Sequence, residues 1–366
     1  MNTEEILYSR SAASTDDKCQ RQRFLNYEWA NRGLTSDAVN LALWEGICIH
    51  DGLAAIAAGM DIDTIGEASV VQMEEMLSTN NYPEYYAKEQ ICLVEGLLRG
   101  FYRQMWPILM KTYPEIVFVE EEMVYPHDGV TLMSKGDIVL RDTEGLLWYL
   151  EYKSTSSNSD QWISSWTKAV QVHTTIKAIE RRLGEPVAGM IIQGLYKGYL
   201  SKYTNKQESI LCYAYHSPGQ APFNKAIWAT KWGKGLKKSP IWQRPGGCKA
   251  WIDEMPLAAL GEQFPQTPPI FLNEDLVERY LSQRGYREKE IRTARHLIND
   301  PGIHPEERTR LLDMHFSQNF DACTPGWGYG CDYVKLCHGS SENPLEKGFS
   351  LRISHHEPER LFHDAK

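Results

Sequence analysis

The sequence predicts an α/β protein in which a central mixed sheet is flanked by helices. Three observations predict it. Residues 135–157, KGDIVLRDTEGLLWYLEYKSTSS, read as two strands around a turn: Gly136–Leu140 is apolar and β-branched, Arg141–Gly145 is polar and ends in Gly, and Leu146–Tyr152 is a second run of strand formers. Residues 160–183 carry a helical pattern and lead into the apolar strand 187–195, which gives a β–α–β crossover with the hairpin. Helical periodicity fills the chain on either side of this block.

The elements follow in order. Residues 9–29 read as a short helix carrying Cys19. Residues 37–60 read as a helix with Asp37 as its cap; the small apolar stretch GICIHDGLAAIAAG suits close helix packing, and His50 interrupts it. An acidic helix is expected over 62–80. A long one is expected over 83–112, where Ile91, Val94, Leu97, Leu98, Phe101, Met105, Ile108 and Leu109 fall at helical spacing. Residues 115–126 read as a strand stopped by Pro126. Its run Glu120–Glu122 reads as a solvated or partly paired edge, with an extra metal carboxylate as the alternative. The 160–183 helix closes at Gly184 and Pro186, with Trp162, Trp166, Val170 and Ile176 toward the sheet. Packing helices are expected at 248–260, 274–298 and 305–316, and a polar, loosely packed tail beyond Ser340.

At 366 residues the chain can bury a large core, and 42% apolar with 24% charged residues is ordinary for a water-soluble globular protein. No run of about 18 apolar residues offers a membrane span. The start, MNTEEILYSRSAAS, has no basic segment before an apolar one, so no secretory signal is expected and a reducing, cytoplasmic setting is. The eight cysteines are then read as thiols or metal ligands rather than disulfides. A net charge of −9 excludes a uniformly basic nucleic-acid binder but leaves room for a local basic channel.

Three charges sit in the hairpin strands: Asp137 opens the first, and Glu151 and Lys153 end the second. Glu151 and Lys153 are two apart and share a strand face. Charged groups are rarely buried unless paired or bound to metal. Two carboxylates and an ammonium meeting at one point make a divalent-metal hydrolytic site, or else a salt-bridged hairpin with a solvated face.

Two further stretches stand out. Residues 196–249 hold ten Lys/Arg against one acid, Glu208, with nine aromatics interleaved. Cations neutralise phosphates, and rings stack unpaired bases at about 1–3 kcal/mol each. A loop carrying Lys231, Lys234, Lys237 and Lys238, with Trp228 and Trp232, is therefore expected to touch nucleic acid; the alternative is a β-meander with solvated lysines. Near the other end, Cys323, Cys331 and Cys337 lie in the Gly-rich turn segment DACTPGWGYGCDYVKLCHG. Cysteines clustered in such a loop are metal-ligand candidates, with Cys19 or His338 as the fourth ligand. Cys48, Cys92, Cys212 and Cys248 read as structural.

The order of these residues resembles the PD-(D/E)XK nuclease superfamily, and within it the RecB-like exonucleases with an iron–sulfur cluster. That group includes CRISPR-associated exonucleases and the nuclease domain of the AddAB helicase–nuclease. The resemblance runs over residues 9–340 through Cys19, Gly46-x-x-x-His50, Asp137, thirteen residues, Glu151-x-Lys153, Gln171 and the three late cysteines. It implies a restriction-endonuclease-like core over 114–260, a helical region over 1–113 carrying Cys19 and His50, a helical cysteine-bearing region over 261–340 and a tail over 341–366. It implies Mg²⁺ or Mn²⁺ held by His50, Asp137, Glu151 and the Tyr152 carbonyl, with Lys153 acting on the water and Gln171 near the DNA. It also implies a [4Fe–4S] cluster on Cys19, Cys323, Cys331 and Cys337, with Zn²⁺ as the alternative. The expected substrate is single-stranded or end-containing DNA cut by an exonuclease of repair or recombination, with a helicase or recombination protein as partner, in a bacterial or phage-infected cell. Two departures are visible: Thr175 stands where the pattern after Gln171 has Tyr, and the gap from Cys323 to Cys331 is longer than usual. A different endonuclease of the superfamily, or a non-catalytic DNA-binding protein with a relic site, are the other classes.

Overall fold

The computed structural model describes residues 6–38, 40–80, 82–155, 160–167, 169–197, 245–254, 257–261, 263–323, 330–338, 343–354 and 356. In chain order the elements begin with β1 (Ile6–Ser9), α1 (Arg10–Lys18), α2 (Gln20–Arg23) and β2 (Leu34–Ser36). A helical block follows: α3 (Leu41–Ala57), α4 (Ile62–Thr79), α5 (Glu84–Gln104) and α6 (Trp106–Thr112). Then come β3 (Glu115–His127), β4 (Val130–Arg141), β5 (Leu147–Thr155), the crossover helices α7 (Asp160–Trp166) and α8 (Val170–Leu183), and β6 (Val187–Tyr196). The C-terminal part holds α9 (Gly247–Glu254), α10 (Leu257–Gly261), α11 (Glu274–Ile298), α12 (Pro305–His315), α13 (Val334–His338) and β7 (Phe349–Leu351).

The expected hairpin, β4–β5, is the centre of a five-stranded mixed sheet. β3 covers one edge of β4 from end to end. The other edge of β4 is divided. Val130–Met133 takes β1 in parallel, and Ile138–Arg141 takes β5 antiparallel. Ser134–Asp137 lie in the fork between them. β6 lies parallel to β5, as the crossover requires. A strand precedes the expected N-terminal helix; its short run Ile6-Leu7-Tyr8 finds partners because β4 is long enough to serve two neighbours.

Period-two alternation sends the sheet's side chains into two cores. Ile138, Leu140, Leu150 and Tyr152 pack against α3, α4, α5 and α9. Val139, Leu147 and Tyr149 pack against Val172, Ile176 and Ile179 of α8. Several boundaries differ from the expected ones for local reasons. α3 starts at Leu41, because Asn40 caps it by accepting from the Leu43 amide. Asp37 instead accepts from the Ser350 hydroxyl at 2.6 Å. The 83–112 helix is broken at Met105, where Pro107 enters the first turn of α6 and brings no amide to continue the ladder.

The two ends of the chain close on each other. β2 pairs antiparallel with β7, so the segment expected to be a loose tail carries a strand, and Phe349 is buried beneath it. Buried charges join α1 and α2 to α11. Arg23 donates to Glu28 and Glu288, and Arg284 donates to Glu288 and Asp16, all at 2.7–2.9 Å. Such a network contributes when complete and costs heavily when broken. Arg23→Met, which leaves Glu28 and Glu288 each with one cation fewer, is expected to destabilise the protein by about 3 kcal/mol in urea denaturation.

Candidate metal centre at the fork of a strand edge

The site is built by register. Val119 pairs with Ile138 and Glu121 with Gly136, so Glu120 stands opposite Asp137 across β3–β4. One residue beyond the Ile138–Leu150 pair, the same reasoning sets Glu151 on the other side of Asp137. Three carboxylates thus run abreast across three strands. Like charges facing each other on neighbouring strands repel, so each has to be answered nearby.

His50 answers two of them. Its Nδ1 lies 3.6 Å from Glu120 Oε1 and 3.6 Å from Asp137 Oδ1. One ligand atom from each of His50, Glu120 and Asp137 falls within 4.8 Å of the others, a set of donors that fits a divalent ion. Burial would lower the His50 pKa, but the hydrogen bond with Glu120 and the charge of Asp137 outweigh it and raise it. Helix α3 brings the imidazole there by packing closely on α5. A Cβ on Gly52 would come within 2.5 Å of Leu98 Cδ1, so glycine sets the approach of the helix two residues past His50. Glu120 has φ of 53° in the middle of β3, a left-handed conformation that costs a non-glycine residue on the order of 1–3 kcal/mol and accompanies functional sites. Its other oxygen lies 2.7 Å from Lys135 Nζ.

Asp137 is held by the fork itself. Asp137 falls outside the ladders to β1 and β5, and its amide donates to the Tyr149 hydroxyl at 3.3 Å. Its Oδ2 accepts from the Tyr152 amide at 2.6 Å. Burial and the neighbouring Glu151 push its pKa up to about 7. Glu151 goes the other way. Burial favours its neutral form, but Lys153 and Arg10 outweigh that and bring it to about 2. Three donors surround its carboxylate, the Lys153 ammonium, the Tyr149 hydroxyl and Gln171 Nε2 at 2.9 Å, and the Arg10 guanidinium stands beside it as an ion pair at 3.6 Å. Lys153 Nζ also lies 5.8 Å from the centre of the Trp166 ring.

The structure therefore brings His50, Asp137, Glu151, Lys153, Gln171 and the Tyr152 backbone into one place. It adds Arg10, which sequence reasoning did not find, and singles out Glu120 from the run Glu120–Glu122, where an extra metal carboxylate is the alternative reading. Glu120 sits in the expected strand, but only the register and its backbone kink aim it inward. Arg10 comes from the start of α1, and nothing local marks it. Lys231, Lys234, Lys237, Lys238, Trp228 and Trp232 lie outside the described residues. Of the same basic stretch, Lys197 is buried and pairs with Glu45 at 2.7 Å, so it belongs to the core rather than to a surface.

The cysteines form a second group. Cys19 is buried at the joint between α1 and α2. Cys331 and Cys337 pack against the core that contains Phe24 and Tyr333. Burial pushes the Cys337 thiol up to about 11; nearby Arg21 opposes this, while Cys331, Cys19 and Cys323 add to it. Burial likewise raises Cys331, with Cys19 and Cys323 again contributing. Cys19 thus stands in the electrostatic neighbourhood of three cysteines some three hundred residues away. The seven described cysteines are free thiols. Cys323 Sγ lies 3.7 Å from His338 Nε2, which keeps the imidazole beside the group. Neighbouring thiols of this kind are metal-ligand candidates, but among the described residues no three of their ligand atoms lie within 4.8 Å of one another.

Among the described residues no helix is long and apolar enough to cross a membrane. A scan against models of known protein families finds no match, and a search of curated proteins finds none.

Asp137 gives a signed pH dependence. Its folded pKa is raised from 3.8 to about 7, so ionising it costs the metal-free fold stability, a loss that grows as pH rises from about 4 to 7 and then levels. Asp137→Asn stays neutral. In metal-free buffer the variant is expected to match the wild type near pH 4 and to exceed it by about 1 kcal/mol or more at pH 8, read by thermal melts across pH.

Proposed function

We propose that the protein is a metal-dependent DNA nuclease of the PD-(D/E)XK type, acting as an exonuclease on single-stranded ends, with a structural [4Fe–4S] cluster. The observation that carries this reading is the juxtaposition at the β4 fork: a set of donors that fits a divalent ion, His50–Glu120–Asp137, directly beside the Glu151–Lys153–Gln171 group. The mixed sheet with helices on both faces is compatible with a restriction-endonuclease-like core.

In this reading His50, Glu120 and Asp137 hold Mg²⁺ or Mn²⁺, and the resemblance adds Glu151 and the Tyr152 carbonyl. A bound ion would supply positive charge that acidifies a water and offsets charge building on the phosphate. The remaining chemistry belongs to the chain. Lys153 is the cation beside the metal set, about a quarter exposed, and orients the attacking water and stabilises the developing negative charge. Gln171 and Tyr149 hold Glu151 in one orientation, so the carboxylate next to Asp137 does not swing away. His50 brings nitrogen to the set, which favours Mn²⁺. Cys19, Cys323, Cys331 and Cys337 hold the cluster, and their meeting ties the first helices to the C-terminal segment; Zn²⁺ is the other metal this group suits. Single-stranded DNA is the substrate and a helicase or recombination protein the partner.

Two experiments test the reading. Asp137→Ala and Lys153→Ala are each expected to abolish Mn²⁺-dependent cleavage of linear single-stranded DNA while leaving the melting temperature within a few degrees of wild type. Retained cleavage removes these residues from the chemistry, and cutting of circular single-stranded DNA assigns an endonuclease instead. Protein purified without oxygen is expected to be brown with a broad visible absorption band and to lose it in Cys19→Ser. Colourless protein with one bound zinc sinks the cluster.

A further inference from the structure

The geometry points to Arg10 as a phosphate-binding residue of the site, one that forms with Lys153 a cationic pair for the substrate backbone; this rests on the nuclease reading above. The argument is one of charge and position. At one end of the site, two carboxylates face His50 and Lys135. At the other end, one carboxylate, Glu151, is shared between two cations, Lys153 and Arg10. A single carboxylate balances only one of the two positive charges. Lys153 holds the close contact, and Arg10 stands off at 3.6 Å, an ion pair beyond hydrogen-bonding distance. The guanidinium is a planar fork with five N–H donors, well matched to phosphate oxygens.

Arg10 is also held ready. Its NH1 donates to Thr175 Oγ1 at 2.9 Å and points at the Gln171 carbonyl at 3.5 Å. The Thr175 hydroxyl in turn meets Ser134 Oγ at 3.2 Å, inside the fork of β4. Thr175, four residues after Gln171, is fully buried, so its hydroxyl is a fixed anchor for the guanidinium. Both cations keep about a quarter of their side chains open to solvent, Arg10 at 25% and Lys153 at 26%. A backbone phosphate lying over Glu151 can therefore reach both. Arg10 is supplied by the fold and not by the hairpin: β1 pairs with β4 up to Met133 and then releases the chain into α1 at the fork.

The test compares wild type with Arg10→Ala and Arg10→Lys, all loaded with Mn²⁺, on a single-stranded oligonucleotide. α1 remains anchored through Asp16 to Arg284 and Arg287, so both variants are expected to keep the wild-type melting temperature. Arg10→Ala is expected to lower kcat/KM about 10- to 100-fold, the range for losing a hydrogen bond to a charged group, with Arg10→Lys recovering part of it. A neutral methylphosphonate placed at one linkage at a time is expected to find a position that costs wild type the same factor and costs Arg10→Ala nothing further. A merely structural arginine would not produce that cancellation. Equal kcat/KM in wild type and Arg10→Ala overturns the proposal. If wild type cleaves nothing, the nuclease reading falls, and binding of the same oligonucleotide without metal decides Arg10 by itself: weaker binding by Arg10→Ala supports the assignment, and equal binding overturns it.

Discussion

Three carboxylates abreast on adjacent strands are the constraint around which this molecule is arranged. Glu120, Asp137 and Glu151 cannot all carry charge in a buried row unless positive groups stand between and beside them. Each is treated differently. Glu120 has Lys135 and the imidazole, which keep its carboxyl low against the upward pull of burial. Glu151 has two cations and two neutral donors and is ionised throughout the ordinary pH range. Asp137, in the middle, has the Tyr152 amide, a shared His50 and the more distant charge of Lys153, and it is the one whose charge is least well met. An arrangement that leaves one central anion short, with two ligands already in place beside it, is suited to accept a cation and is unfavourable without one.

The fork in β4 makes this row possible. Were β5 or β1 to continue along the edge, Ser134–Asp137 would be tied into a regular ladder and the amides of Asp137 and Tyr152 would bond to backbone. Instead β1 departs after Met133 and β5 arrives only at Ile138. The Tyr149 hydroxyl and the Asp137 carboxylate then take up those amides, which fixes both side chains. The same gap admits Arg10 from one side and Ser134–Thr175 from another. A backbone irregularity thus serves as the positioning device, and rigid elements on either side hold it.

Much of this was legible in the primary structure, for identifiable reasons. The hairpin, the 274–298 helix and the pairing of Glu151 with Lys153 rest on local patterns that the fold did not override. Gln171 is legible as part of a helix that must lie over the sheet, and it does reach Glu151. Glu120 was legible only as one of three glutamates that could face a metal, because its inward aim depends on a left-handed backbone that the run does not signal. Arg10 was not, because its contacts span more than 140 residues and depend on where β1 ends. The strand at Phe349–Leu351 was hidden for the same reason: three residues signal nothing alone and acquire structure from Leu34–Ser36 at the opposite end of the chain.

The joining of the two chain ends has a consequence for synthesis. β1 finds β4 once about 140 residues have been made, but the late partners of Asp16, Arg23 and Cys19 lie at Arg284, Glu288 and Cys323–Cys337 respectively. Through most of translation Asp16 and Cys19 therefore wait for these late partners, and Arg23 has only Glu28. The salt bridges and the β2–β7 pairing that close the two chain ends on each other can thus form only after Glu288 and Phe349–Leu351 have been made.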